Sequence, residues 1–130
     1  MSNFHLFFSH KLTDEQIVDA KNNLKVEEII PLPDDLQKMF SNVPPDFDDS
    51  GLRTYAESLY AYIRAQVQAG DYVLVQGDFG LTFLLVNFLQ NQGAIPVYAT
   101  TERASVDVQN PDGSVTTQRI FRHKIFRKYG

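Results

Sequence analysis

Apolar positions along the chain fall into short runs that switch between strand-like and helix-like spacing. Phe4 to Phe8 has too few polar partners for a half-exposed strand and reads as a buried one. Ser9-His10-Lys11 follows as a loop. Thr13 opens a helix, with Gln16 completing a capping box and Ile17, Ala20 and Leu24 on the buried face. Val26 to Ile30 predicts a second strand, ended by Pro31-Leu32-Pro33. Asp34 and Asp35 suit the first turn of a short helix through Met39, where acids favour the dipole. Ser41 to Gly51, rich in Pro and Asp, reads as a loop. Leu52, Tyr55, Leu59, Ile63 and Val67 then recur at helical spacing, closed by Gly70 at C′.

Tyr72 to Val75 predicts a third strand and Gln76-Gly77-Asp78-Phe79-Gly80 the turn after it. Leu81 to Gln90 is apolar on nearly every side, so that helix should be buried and central, with Gly93 stopping it. Ile95 to Ala99 predicts a fourth strand, followed by a loop at Thr100–Arg103. Ala104, Val106 and Val108 alternate with polar residues, Asn110-Pro111-Asp112-Gly113 is a strong turn, and Val115 and Thr117 resume the alternation. A β-hairpin is therefore expected after the α/β core. Residues 120–129 fit either strand or helix.

Strands alternating with helices force parallel pairing through right-handed crossovers. The expected fold is a single α/β domain over residues 1–130: a Rossmann-like short parallel sheet in the order 2-1-3-4, flanked by helices, with the C-terminal hairpin at one edge. Ligands of such sheets bind beyond the carboxyl ends of the strands. That rule nominates Ser9–Lys11, Gln76–Thr82 and Thr100–Arg103.

Composition narrows the chemistry. With 130 residues and 43% hydrophobic content, one core can be filled. Cysteine is absent, which removes disulfides, thiolate catalysis and cysteine–zinc sites. The run Phe79–Leu89 is too short to cross a bilayer, and Met1-Ser2-Asn3-Phe4 carries no basic leader, so a cytoplasmic protein without membrane attachment is expected. The net charge of −4 argues against a coat for long nucleic acids. Residues 101–130 hold 3 acids and 6 bases, against 11 acids and 5 bases in residues 1–58. That distribution suits a local anion site or, equally, a hairpin whose edges Lys and Arg protect.

Gly77 to Thr82 joins a strand to a helix, and glycine lets its backbone approach a ligand while free N–H groups favour an anion. The spacing is neither a dinucleotide fingerprint nor a P-loop. Asp78 suits an N-cap, although its charge opposes a phosphate there; ribose contact is the other use. Ser9 and His10 either cap their loop or supply an acid or base at the end of strand 1. Thr100 and Thr101 offer hydroxyls beside the guanidinium fork of Arg103, or simply end a strand. His123 stands among Arg122, Lys124, Arg127 and Lys128, whose charges oppose its protonation and leave it able to accept a proton; a solvated basic face is the commoner meaning of such a cluster. His5 reads as packed. Three isolated His make no metal site, and no cofactor is expected.

With those residues laid out, the chain resembles a small family of stand-alone relatives of the CRISPR-associated Rossmann fold, the ancillary ring nucleases of type III CRISPR systems. The match runs through Phe8-Ser9-His10-Lys11-Leu12-Thr13, Val75-Gln76-Gly77-Asp78-Phe79-Gly80, Val97–Arg103, and Phe121-Arg122-His123 to Tyr129. The resemblance implies a homodimer that binds cyclic tetra-adenylate and cleaves it without a metal, the ligand's own 2′-hydroxyl attacking the adjoining phosphorus. Ser9, His10 and His123 are the candidates for the chemistry. Gln76, Gly77, Asp78, Phe79, Gly80, Thr82, Thr100, Thr101, Arg103 and Arg122 are the candidates for binding. A module that only sequesters or senses the same messenger needs the same clamp and stands as the alternative.

Overall fold

A computed structural model describes residues 2–130. The elements are β1 (Phe4–Phe8), α1 (Asp14–Asp19) running into a π-helical turn (Ala20–Leu24), β2 (Ile29–Pro31), α2 (Asp34–Ser41), α3 (Asp49–Gln66), β3 (Tyr72–Gln76), α4 (Phe79–Asn91), β4 (Ile95–Gln109) and β5 (Val115–Lys128). The sheet order is β2-β1-β3-β4-β5, parallel as far as β4 and antiparallel between β4 and β5. This is the expected 2-1-3-4 order with a hairpin at the edge.

Side chains alternate across the strands and build two cores. Phe7, Val73 and Val75 meet α2, α3 and α4 through Phe40, Leu59, Ile63, Leu81, Leu85 and Leu89. Phe4, Leu74, Val97 and Phe126 meet Ala20 and Val26 on the opposite face. Thr13 accepts from the Gln16 N–H while the Gln16 side chain accepts from the Thr13 N–H, so the capping box forms as its spacing predicts.

Several boundaries move, each for a local reason. The second strand shrinks to Ile29–Pro31, because Val26 leaves the sheet to pack on Ala20. The third helix starts at Asp49, inside the expected loop, since Asp48 caps it by accepting from the Gly51 N–H. It ends at Gln66, and Gly70 instead supplies a positive φ in the turn into β3. Phe79 and Gly80 belong to α4, which is not buried on every side: Phe79 is 95% exposed and Phe83 67%. Nothing among the described residues covers that side of α4, so an apolar pattern there does not mean burial.

The largest correction concerns Thr100–Arg103. It is not a loop. β4 continues through it without a break, and residues 120–128 are strand, so the fourth parallel strand is itself the first strand of the hairpin. Beyond the last β3 pairing at Val97, the two strands run on together as an arm from Thr100 to the Asn110–Gly113 turn, with Gly113 at positive φ. A bulge between Ala99 and Thr101 marks where the arm leaves the sheet.

Candidate functional site

The carboxyl ends of β1 and β3 lie beside the stretch of β4 where it leaves the parallel sheet, with Phe8 in register with Gln76 and the Gln76 side chain accepting from the Ala99 N–H at 2.7 Å. Ser9, His10 and the 76–82 segment therefore share one edge of the sheet. They do not share one cavity.

Ser9 and His10 open into a cleft of about 560 Å³, lined also by Leu6, Leu12, Ile17, Asp34 and Gln37. Both are exposed, and the His10 ring stands edge-on to Phe8. Gln37 closes one wall by donating to the Phe8 carbonyl. Asp34 and Gln37 were not legible as site residues. The strand-end rule, applied to β2 with its Pro31-Leu32-Pro33 exit, could have nominated the acid.

A second cleft of about 430 Å³ is lined by Gln76, Gly77, Phe79, Thr82, Tyr98 and Tyr129. Gly77 is required by close packing: a Cβ there would stand 2.7 Å from Phe40 Cζ. Asp78 is the N-cap of α4, accepting from the Leu81 N–H at 3.0 Å, while its residue stays exposed. Thr82 Oγ1 is buried and has no hydrogen-bond partner. Tyr98 lies within β4 and Tyr129 just past the end of β5, and neither is among the sequence-based candidates. Tyr129 donates to the Val75 carbonyl at 2.6 Å, and its ring centroid lies 4.9 Å from that of Tyr98. Arg127 donates to the Tyr98 hydroxyl at 3.0 Å, which brings a guanidinium to the same ring.

The remaining candidates lie elsewhere. Thr100 Oγ1 donates to the Ile125 carbonyl and accepts from the Ile125 N–H, so its hydroxyl serves the bulge. Thr101 is exposed at the base of the arm, and Arg103 lays its guanidinium over Phe121. Arg122 pairs with Glu15 at 3.2 Å on the surface. His123 is corrected most sharply: its ring is 5% exposed and bonds Asp19 at 2.7 Å, with Phe126 packed against it. Its closest charge is thus a carboxylate and not the neighbouring bases, because alternation along β5 turns it toward α1. His5 is packed, as expected, and bonds Asp71 at 3.0 Å. Of the three His, His10 is the one whose ring is not tied to a carboxylate.

Among the described residues, no three His, Asp or Glu side chains gather where they could hold a metal ion. None of the helices among them is long and apolar enough to cross a membrane. No solved structure matches the chain. A curated protein of Methanocaldococcus jannaschii, "Uncharacterized protein MJ1673", is 47% identical over 129 residues, covering 99% of this chain and 98% of that relative. The family described as "Uncharacterized protein MJ1673 family" matches residues 2–127. Matched nearly end to end by both, the chain belongs to the MJ1673 family.

Proposed function

We propose that the protein is a ring nuclease that binds cyclic tetra-adenylate at a homodimer interface and cleaves it without a metal, switching off type III CRISPR signalling. The observation that carries this reading is the common edge of Ser9, His10 and the 76–82 segment, two of the blocks on which the resemblance rests, at the sheet edge where α/β folds bind nucleotides. In the proposed step the 2′-oxygen attacks the adjoining phosphorus and the P–O5′ bond breaks. A 2′,3′-cyclic phosphate and a 5′-hydroxyl result, the proton leaving the 2′-hydroxyl and another reaching O5′. Holding attacking oxygen, phosphorus and leaving oxygen in line supplies much of the rate. His10 handles one of the two protons, and the N–H groups at the start of α4 bind phosphate charge.

The homodimer is supported by apolar side chains that a single copy leaves in water. Phe83 on α4, and Val106, Ile120 and Phe121 on the arm, are exposed. An isolated two-stranded hairpin is marginal in water, so a covering copy would stabilise it. A cytoplasmic setting goes with this reading.

A second reading is a non-catalytic binder of the same messenger. Burial of His123 against Asp19 favours it, because one free His remains for two proton transfers. Single-turnover incubation with cyclic tetra-adenylate in EDTA, resolved by chromatography, separates the two. Cleavage is expected to persist in the chelator and to fall by roughly 10²–10⁴-fold in His10→Ala with binding little changed. Stoichiometric retention of intact ligand would establish the binder, and loss of cleavage restored by Mg²⁺ or Mn²⁺ would overturn the metal-free step.

A further inference from the structure

We infer that the cleft between the start of α4 and the base of the β4–β5 hairpin is a subsite for a purine base, with Phe79 as its stacking face. The inference deepens the proposed function and rests on that reading for the ligand that carries the base. It starts from a costly placement: the Phe79 ring is 95% exposed in the first turn of α4, yet it lines a cleft instead of standing alone. Tyr98 and Tyr129 supply the other aromatic surfaces, and Gly77 supplies a bare backbone floor. A volume of about 430 Å³ falls within the range of small-ligand sites.

The polar groups there are few and undersupplied with partners, which is what a ligand edge needs. Gln76 Oε1 is held by the Ala99 N–H, so the amide orientation is fixed and its NH₂ remains a donor. Thr82 Oγ1 is buried without a partner and can donate or accept. A buried hydroxyl left without a partner is unfavourable, and a ring nitrogen or exocyclic amine would satisfy it. Together they offer a donor beside a donor-acceptor, which reads the edge of a base, while stacking takes any base and favours the larger rings. Arg127, held at the Tyr98 hydroxyl, brings positive charge to the rim where the attached phosphate would lie.

Equilibrium titration of the full chain with cyclic tetra-adenylate, AMP, UMP and ribose 5-phosphate at low salt tests this. Phe79→Ala should weaken cyclic tetra-adenylate and AMP by roughly ten- to a hundred-fold, with Phe79→Tyr restoring binding. The parent should prefer AMP to UMP and bind ribose 5-phosphate least. Thr82→Val should reduce the AMP-over-UMP preference without lowering thermal stability, since no protein partner of the hydroxyl is lost. Cyclic tetra-adenylate bound equally by parent and Phe79→Ala would overturn the subsite and leave the proposed function standing. AMP bound in a Phe79-dependent way, with cyclic tetra-adenylate ignored, would do the reverse. A Phe79→Ala protein that dissociates to monomers at unchanged affinity would overturn the subsite and assign the ring to the interface.

Discussion

Removing the carboxylate of Asp71 should destabilise the fold in a strongly pH-dependent way. Asp71 sits just before β3, 4% exposed, and accepts from the Asn3 N–H at 3.1 Å, the Gln68 N–H at 3.0 Å and the His5 ring at 3.0 Å. It ties the start of β1 to the end of the α3–β3 connection. Asp71→Asn keeps the volume but replaces one acceptor oxygen by a donor that faces other donors, and His5 Nδ1 already lacks a partner. Leaving buried donors of a carboxylate unsatisfied costs about 1–3 kcal/mol or more; Asn retains one acceptor, so about 3 kcal/mol is expected. At a urea dependence of about 1–3 kcal/mol per molar, the unfolding midpoint should fall by about 1–3 M near neutral pH. Burial acts to raise the Asp71 carboxyl, but the N–H groups of Gln68 and Asn3 and the His5 ring outweigh it and hold it below its ordinary 3.8. A folded value below the unfolded one means that the contribution is fully present above the ordinary carboxyl range and fades as pH falls through the folded value. Urea midpoints of both proteins, taken from about pH 7 to about pH 2.5, should therefore differ by a constant amount down to about pH 4 and converge below it. A gap that stays constant to the lowest pH, or none at neutral pH, would refute the assignment.

Three smaller changes probe the 76–82 segment. Gly77→Ala should cost about 1–3 kcal/mol in chemical denaturation, because its Cβ meets the buried, rigid Phe40 ring at 2.7 and 2.9 Å; Gly80→Ala meets the flexible end of Leu52 at 2.7 Å and should cost less. Equal losses would show that the packing of Phe40 does not set that turn. Asp78→Ser keeps a good N-cap, so melting should change little, while removing a negative charge at the helix start should tighten cyclic tetra-adenylate by about two- to five-fold at low salt. Weaker binding in calorimetry would instead make Asp78 a direct ribose contact.

What could be read along the chain was what neighbouring residues decide. The Thr13–Gln16 box, the Asn110–Gly113 turn and the strand–helix alternation are local signals, and alternation with right-handed crossovers leaves few strand orders, the observed one among them. The continuity of β4 had one local sign, that no Gly or Pro interrupts Thr100–Arg103, but four polar residues in a row carry no alternation into Ala104–Val108. The expectation of a ligand loop masked it. Tertiary structure alone decided the partners of the buried His rings, since Asp71 lies 66 residues from His5 and Asp19 lies 104 from His123. It alone put Ser9 and His10 in one cleft and Gln76, Gly77, Phe79 and Thr82 in another, left the arm candidates outside both, and added Asp34, Tyr98 and Tyr129 to the linings. The exposed Phe79 and Phe83 have the same cause. Hydrophobicity fixes a side chain's transfer free energy, but which surface, if any, covers it depends on segments far away in sequence.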